Sequence, residues 1–240
     1  MSQAVKRVLL KLSGEGFTEN GEPGVSTNRL LDLVKQIAAA NKQGIEIGVV
    51  VGGGNFLRGS QAANKVLARQ TADHMGMLAT VMNAIVLRDT LLQVGVDAVV
   101  FSALEVKGIA PMFDAYQAKK VLSEKRVAIF AGGTGNPFVS TDSAASLRAI
   151  EIGADILLKA TKVDGIYDAD PAKYPNAKLF EHLTYDQALA DQLAVMDLVA
   201  FWQCREYCIP IRVFNLFKPG MLLGALQGEP IGTLVTRGES

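Results

Sequence analysis

The fold is decided by the stretch Val49-Val50-Val51-Gly52-Gly53-Gly54-Asn55-Phe56-Leu57-Arg58. Its three valines predict a strand that is buried on both faces of a parallel sheet. Because glycine loses the most backbone freedom on folding, three in a row make sense where main-chain N–H groups approach a ligand closely. Phosphate is a ligand that such groups favour, and Arg58 adds a guanidinium to the same anion. The alternative is a tight strand-to-helix turn that needs only a positive φ.

Strands and helices alternate along the chain on both sides of this stretch. Apolar runs predict strands at 5–12, 45–51, 96–101, 126–131, 155–159, 211–216 and 232–236, with helices between most of them. This alternation is typical of a three-layer α/β/α sandwich around a mostly parallel central sheet. No linker-like stretch, repeat or low-complexity tract divides the chain, so we expect residues 1–240 to form a single domain.

Glycine-bearing loops follow three of the predicted strands, at 13–16, 52–54 and 132–135. In a parallel sheet the carboxyl ends of the strands meet at one edge, and ligands bind outside that edge. The three loops are therefore predicted to converge on one site. They follow none of the common nucleotide-binding patterns, because the chain lacks the Walker A sequence, the G-x-G-x-x-G fingerprint and the protein-kinase motifs.

The charge and composition of the chain limit its partners and location. The 24 Lys and Arg residues balance 24 Asp and Glu residues, which argues against a protein that binds nucleic acid over a broad surface. A signal-peptide-like start and a run of about 18 apolar residues are both absent, so we expect a cytoplasmic protein without a membrane segment. Cys204 and Cys208 lack the further ligands of a zinc site and are predicted to be buried on one face of a helix.

Two lysines lie at the carboxyl ends of predicted buried strands. Lys11 precedes Ser13 and Gly14, and Lys159 follows the apolar run 156–158. A lysine in an apolar strand costs free energy unless it meets a counter-charge, and a polyphosphate supplies one. The pair is predicted to flank a transferring phosphoryl group and to neutralise its charge. The alternative is that each ammonium group simply extends to solvent at a strand end.

Two acidic residues stand near predicted helix starts. Asp142 follows Ser140 and Thr141, either of which can cap a helix. Its carboxylate either only stabilises the first helical turn, or orients the two lysines or a water-bound Mg²⁺. Asp73 can accept two hydrogen bonds from a ribose diol, and the alternative is again a helix-start acid.

The segment predicted to form a helix over about 65–93 is apolar nearly all round between Met75 and Leu87. A surface helix has one apolar stripe, so this helix is predicted to be covered on both sides. The second cover is either another subunit of a homo-oligomer or the rest of the same subunit.

Five motifs together resemble those of the bacterial UMP kinases (uridylate kinases), a branch of the amino-acid kinase fold family. The motifs are Lys11-Leu12-Ser13-Gly14-Glu15, Gly52-Gly53-Gly54-Asn55 with Arg58, Asp73-His74-Met75-Gly76-Met77, Gly133-Thr134-Gly135-Asn136-Pro137-Phe138 with Thr141-Asp142, and Lys159-Ala160-Thr161-Lys162-Val163-Asp164-Gly165. Their order and spacing match from residue 6 to about residue 236. The first and last motifs occur across the fold family, whereas the third and fourth are specific to the uridylate branch.

The resemblance implies transfer of the γ-phosphoryl group of ATP to UMP, with Mg²⁺ bound mainly through the ATP phosphates and not by protein side chains. It implies a transfer centre of Lys11, Asp142 and Lys159. The implied ATP site comprises Lys11, Leu12, Ser13, Gly14, Gly54, Arg58, Thr161, Tyr167 and Asp170. The implied UMP site comprises Gly53, Asp73, Thr134, Gly135, Asn136, Pro137, Phe138, Val139, Ser140 and Thr141. Acceptor binding would belong roughly to residues 1–155, and ATP binding roughly to 156–240 plus the Lys11 loop.

The same resemblance implies a homohexamer that GTP activates and UTP inhibits, working in pyrimidine nucleotide (CTP) biosynthesis. The loop at 18–25 corresponds to the region that is linked to GTP activation in the family. Leu92 and Val99 stand where some members carry basic residues, so this chain departs from the pattern associated with GTP control.

A phosphate acceptor removes the need for a catalytic base. A phosphomonoester is largely dianionic near pH 7, since its second pKa is about 6. Catalysis is then expected from alignment and charge neutralisation alone. Two rival hypotheses stay open at this point. A carboxylate or carbamate kinase has no use for a diol acceptor such as Asp73, and a non-catalytic nucleotide or amino-acid sensor has no need of the paired lysines.

Overall fold

The centre of the fold is an eight-stranded sheet, formed within the residues that this computed structural model describes, 5–19, 22–56, 67–193 and 196–238. In chain order the strands are β1 (Arg7–Leu12), β2 (Glu46–Val51), β3 (Ala98–Ser102), β4 (Val127–Ala131), β5 (Ile156–Thr161), β6 (His182–Thr184), β7 (Ile211–Asn215) and β8 (Thr233–Thr236). Across the sheet their order is β3-β4-β2-β1-β5-β7-β8-β6. Neighbouring strands are parallel except β7 and β8, so the predicted mostly parallel sheet is confirmed.

Helices cover both faces of this sheet. One face carries α1 (Thr27–Lys42), α2 (Arg69–Gln93) and α7 (Met221–Leu226), and the other carries α3 (Ala115–Ser123), α4 (Thr141–Ile152), α5 (Tyr185–Ala190) and α6 (Leu198–Glu206). The sequence of β1 is continuously apolar because both faces of the strand are buried. Leu10 packs into the core on the first face, and Leu9 packs into the core on the second. The predicted α/β/α sandwich is confirmed.

Side-chain caps fix the starts of several helices at predicted positions. The sequence predicts either Ser26 or Thr27 as the cap of α1, and Asp114 as the cap of α3. Ser26 accepts a hydrogen bond from the Arg29 N–H, and Asp114 accepts one from the Gln117 N–H. Ser140, rather than Thr141, caps α4.

Some sequence-based boundaries are corrected by the structure. The sequence predicts that the last helix starts at Pro219. It begins instead at Met221, since the preceding residues form a turn that ends at the left-handed Gly220 (φ 78°). The short strand β6 was not predicted, because three residues are too few to give a periodic signal. The predicted helix start at about Lys65 lies outside the described residues, within which α2 begins at Arg69.

The two cysteines have different environments. Cys204 is buried in the core beneath α6, as predicted. The prediction is wrong for Cys208, which is exposed. Helix α6 ends at Glu206, and Cys208 adopts a left-handed conformation (φ 54°) that carries its side chain away from the helix face of Cys204.

Helix α2 is only half covered. Its buried side packs on the sheet, but Met75, Leu78 and Met82 are 40%, 53% and 49% exposed at helical spacing. The interpretation that the same subunit covers this helix on both sides is therefore wrong. Among the described helices, α2 alone is long and apolar enough to pass for a membrane span, and half of its most apolar window is buried inside the protein, as in the core helix of a globular domain.

Candidate active site

The strand register brings Lys11 and Lys159 side by side. The two residues are directly paired across the parallel strands β1 and β5, so their side chains leave the same face of the sheet. The Asp142 carboxylate lies between them. Its Oδ2 accepts a hydrogen bond from Lys159 Nζ at 2.8 Å, and its Oδ1 forms an ion pair with Lys11 Nζ at 2.9 Å. All three side chains are largely shielded from solvent, which excludes the alternative that the lysines extend into water.

Helix α4 carries Asp142 to this position. The Ser140 hydroxyl accepts hydrogen bonds from the N–H groups of Asp142 and Ser143, which starts the helix. Ala144 and Ala145 then pack into the core beneath the helix, so its amino end lies over the carboxyl ends of β1 and β5. Small side chains allow this close approach, and the first-turn carboxylate consequently reaches both lysines.

Opposite charges set the protonation of this cluster. Burial raises the pKa of the Asp142 carboxyl, but Lys11 and Lys159 outweigh it and hold that pKa below its usual value. Burial lowers the pKa of Lys159, and attraction to Asp142 offsets only part of the effect. Two ammonium groups against one carboxylate give the cluster an excess of positive charge, which suits an anionic phosphoryl group.

Close packing requires the first two of the three glycines after β2. A Cβ on Gly53 would lie 2.5 Å from the carbonyl oxygen of Gly76 in α2, and one on Gly52 would lie 2.9 Å from the Gly14 nitrogen. None of Gly52, Gly53 and Gly54 has a positive φ. The alternative of a turn that only needs positive φ is therefore wrong for this loop, although it does describe Gly132, Gly133 and Gly135.

Two of the three glycine N–H groups are open to a ligand within the part of the chain that the structure describes. The Gly52 N–H donates to the Leu12 carbonyl, and the Phe56 N–H donates to the Gly53 carbonyl. Within the described residues, the N–H groups of Gly53 and Gly54 have no protein acceptor. Unpaired amides beside two lysines are the donor set expected of a phosphate site.

A first cleft opens between the glycine loops and α2. Predicted UMP-site residues that line it are Gly53, Asp73, Thr134, Asn136, Val139 and Thr141. Gly54, predicted for ATP, lines this first cleft and not the cleft that other predicted ATP-site residues line. Gly135, Pro137, Phe138 and Ser140 belong to the same loop but do not line the cleft.

Asp73 joins the two walls of this first cleft. It lies in the second turn of α2, so the interpretation as a helix-start acid does not apply. Its Oδ2 accepts a hydrogen bond from the Phe138 N–H at 2.8 Å, and both oxygens accept from Arg69 Nε. Burial raises the pKa of Asp73, but these two donors outweigh it and the net pKa is lowered. The contact also supports the left-handed backbone of Phe138 (φ 67°), which is costly for an aromatic residue.

A second cleft opens on the other side of the lysine pair. Predicted ATP-site residues Thr161, Tyr167 and Asp170 line it, together with Lys159. Its volume of about 530 Å³ is within the range of small-molecule sites. Leu12, Ser13 and Gly14 form the end of β1 and the turn beside it. Arg58 lies outside the described residues.

Three polar residues of the site were missed by the sequence analysis. Asp197 caps α6 and accepts hydrogen bonds from the hydroxyls of Ser140 and Ser143, which fastens the amino end of α4. Thr80 Oγ1 accepts from the Gly132 N–H at 2.7 Å, and Asn83 binds the Gly52 carbonyl. For Thr80 and Asn83 the sequence did contain a signal, because these two polar residues interrupt the apolar part of α2. Asp197 gave none, because it meets α4 only through tertiary structure.

Comparison with known proteins identifies the family. The sequence model described as the amino acid kinase family matches residues 6–215. A relative from Pseudomonas fluorescens, named uridylate kinase, is 50% identical over 98% of this chain and 95% of its own length. Another of that name, from Coxiella burnetii, is 50% identical over 98% of this chain and 96% of its own length. The chain belongs to the uridylate kinases of the amino acid kinase family.

Solved uridylate kinase structures share the fold. A crystal structure of UMP kinase from Bacillus anthracis has a TM-score of 0.94 and 33% identity, covering 99% of this chain and 98% of that one. A crystal structure of UMP kinase from Ureaplasma parvum has a TM-score of 0.91 and 36% identity, covering 98% of this chain and all of that one. The family resemblance that the five motifs carry is thus confirmed over nearly the whole chain.

Proposed function

We propose that this protein transfers the γ-phosphoryl group of ATP to UMP and releases UDP and ADP. Its membership of the uridylate kinases supports this reaction. The single observation that carries the mechanism is the pairing of Lys11 and Lys159 around Asp142. Lys159 lines the second cleft, and Thr141, the neighbour of Asp142 in the chain, lines the first. Two substrates, one in each cleft, would bring donor and acceptor phosphates together at this cluster.

The chemistry needs alignment and charge neutralisation. An oxygen of the UMP phosphate attacks the γ-phosphorus of ATP, and the bond to the β–γ bridging oxygen breaks, with its electron pair leaving on ADP. No proton has to be removed from the acceptor, because its second pKa is about 6. The two ammonium groups stabilise the negative charge on the migrating group, and Asp142 holds them in place.

We assign the substrates to the two clefts. ATP would occupy the second cleft through Thr161, Tyr167 and Asp170, with Lys11, Leu12, Ser13, Gly14, Gly54 and Arg58 at its phosphates. UMP would occupy the first cleft through Gly53, Asp73 and the loop at 134–141. The linings of the two clefts support this division, because Asp73 and Thr134 line the first and Thr161 and Tyr167 line the second.

Mg²⁺ fits this arrangement as part of the nucleotide. Both oxygens of Asp142 already face lysines, and within the described residues no group of three or more His, Cys, Asp and Glu is placed to hold a metal. The ATP phosphates would therefore supply most of its ligands, and the ion would shield their charge. Lys11 and Lys159 remain the protein's own contribution.

One assay separates this function from its rivals. ADP release from Mg-ATP is measured with UMP, CMP, AMP, aspartate and N-acetylglutamate supplied separately. We expect turnover with UMP far above that with either carboxylate. Turnover with a carboxylate alone would establish the carboxylate-kinase hypothesis, and nucleotide binding without any turnover would establish the sensor.

We further propose a soluble, cytoplasmic homohexamer that serves pyrimidine nucleotide synthesis. The half-covered helix α2 supports self-association, because its exposed Met75, Leu78 and Met82 form an apolar stripe that a second subunit can bury. UTP is the proposed inhibitor. GTP is the proposed activator. The residues around its expected binding region are less basic than in some relatives, because Leu92 and Val99 are apolar. Sedimentation equilibrium should give six times the chain mass of 25.6 kDa, and a monomeric mass would refute the assembly.

A further inference from the structure

Two asparagines form a reciprocal pair behind the glycine loop. Asn55 follows the three glycines, and Asn83 lies on α2. Asn55 Nδ2 donates to Asn83 Oδ1 at 2.9 Å, and Asn83 Nδ2 donates to Asn55 Oδ1 at 2.7 Å. Asn83 is fully buried and Asn55 is 7% exposed, so solvent offers these amides no substitute partners.

Every donor of the two amides is used. The second hydrogen of Asn55 Nδ2 binds the Gly24 carbonyl at 2.8 Å, and the second hydrogen of Asn83 Nδ2 binds the Gly52 carbonyl at 2.7 Å. Turning either amide over would place its oxygen against a carbonyl oxygen. The network therefore has one arrangement, and a fully satisfied buried network of this kind specifies a unique geometry.

The pair fastens three segments of backbone at the candidate site. Gly52 belongs to the loop after β2, and Gly24 precedes α1, where its N–H also donates to the Asn55 carbonyl. The turn after β1 packs on the same point, because a Cβ on Gly14 would lie 2.6 Å from Asn55 Oδ1. Asn55 thus contacts the backbone of all three segments and directly follows Gly53 and Gly54, which line the first cleft.

The face of α2 that contacts the glycine loop also borders the first cleft. Asn83 stands two helical turns after Gly76, whose carbonyl oxygen is the atom that approaches Gly53 most closely. Asn83 therefore bonds to Gly52 and Asn55 at the two ends of the glycine loop, and Gly76 packs against Gly53 between them. A loop of three glycines has little stiffness of its own, so its placement depends on such external contacts.

We propose that Asn55 and Asn83 are positioning residues for phosphoryl transfer. Through their shared amide pair they set where the free N–H groups of Gly53 and Gly54 point, and so how the two phosphates align between Lys11 and Lys159. Neither asparagine needs to touch a substrate. This inference rests on the proposed function, because it assigns the loop to phosphate binding.

Steady-state kinetics of Asn83→Ala and Asn55→Ala test the proposal. They provide kcat and the KM values for ATP and UMP, at a temperature well below the Tm of each variant. We expect kcat to fall about 100-fold in each, because misplacement by about 1 Å costs that much in an aligned reaction. The double variant should lose no more than either single one, since both changes remove the same pair. The matched control is Thr90→Ala, a buried residue on the same helix that bonds only to its own helix through the Val86 carbonyl.

The outcomes are distinct. Wild-type kcat and KM values in folded Asn83→Ala, with only a lower Tm, would show a merely structural pair and overturn the proposal. If Asn83→Ala does not fold, the kinetic constants of Asn55→Ala provide the same test, because this substitution removes the same amide pair from the loop. An equal fall of kcat in Thr90→Ala would also overturn it. Absence of UMP-dependent ADP release by the wild-type protein would instead refute the proposed function.

Discussion

The Asp142 carboxylate is the counter-ion of two buried ammonium groups, and a bound nucleotide would supply a second one. This explains how two lysines persist at the ends of apolar strands, where an unpaired charge is costly. It also gives the three residues separable roles. The lysines would act on the migrating phosphoryl group, whereas Asp142 acts on the lysines.

Removal of Lys159 tests the first of these roles. We expect Lys159→Ala to lower kcat by about 10²- to 10³-fold, the range seen when one charge-stabilising donor is removed from a transition state. Nucleotide binding should persist, since many other groups line the second cleft. Steady-state kinetics and calorimetric titration with ADP measure the two effects. Lys119→Ala, on the exposed side of α3, is the control, and a kcat near that of the wild type in Lys159→Ala would contradict the role.

The lowered pKa of Asp142 has a consequence for stability. A carboxyl whose pKa is lower in the folded state stabilises the protein above its unfolded pKa of about 4, and this contribution is lost as the pH falls through the folded-state pKa. The wild type should therefore be more stable than Asp142→Asn at pH 7, and the difference should narrow below about pH 4. Urea unfolding at pH 7 and pH 3 measures it. A difference that does not change with pH would contradict the ion-pair cluster as its source.

Asp73 tests recognition of the acceptor. We expect Asp73→Ala to raise KM for UMP by about 10- to 100-fold and to change KM for ATP much less, because hydrogen bonds to a charged group contribute about 1.5–3 kcal/mol. Initial rates at varied UMP and ATP provide both constants. Asp89→Ala, an exposed acid on the same helix, is the matched control. An unchanged KM for UMP would remove Asp73 from the acceptor site.

At the scale of elements, the glycine loop packs tightly against α2 at Gly53, beside the first cleft. A Cβ on Gly53 would lie 2.5 Å from the Gly76 carbonyl oxygen and 2.8 Å from the Ala79 Cβ, whereas a Cβ on Gly54 would meet nothing within 4 Å. Two adjacent glycines therefore have different reasons to be glycine. Gly53 is needed for the approach of the loop to the helix, and Gly54 leaves the N–H open to a ligand.

This difference predicts opposite stability effects for neighbouring substitutions. Gly53→Ala should destabilise the protein by about 1–3 kcal/mol, as overpacking against a rigid backbone does. Gly54→Ala should leave stability unchanged or slightly raised, since it meets no atoms and restricts the unfolded chain. Chemical denaturation of both variants measures the effects. Equal destabilisation by the two would refute the packing argument.

At the scale of the whole molecule, the proposed acceptor-binding and ATP-binding parts share their cores. One core joins Leu10 and Val49 to Phe214 and Leu222, and the other joins Leu9 and Val50 to Val213 and Val235. The boundary proposed near residue 155 thus runs through both cores, because β1 lies between β2 and β5 in the sheet. Two functional parts on one sheet are not expected to fold separately.

This arrangement predicts cooperative unfolding. At a fixed protein concentration, far-ultraviolet circular dichroism and the fluorescence of Trp202 should report the same single transition in denaturant. Trp202 lies on α6, over the second core, and the far-ultraviolet signal reports all helices. Two separated transitions would contradict the single domain and support a division near residue 155.

Local composition predicts seven of the eight strands that the described residues form, the glycine loops after three of them, the helix cap Asp114 and the candidate lysines. How distant segments meet depends on the tertiary structure. The pairing of Lys11 with Lys159 follows from strand order, the amide pair of Asn55 and Asn83 from the seating of α2 on the loop, and the exposure of Cys208 from the end of α6. The physical reason is range: propensity and periodicity act over neighbouring residues, whereas strand order, ion pairing and close packing depend on which parts of the chain share a surface.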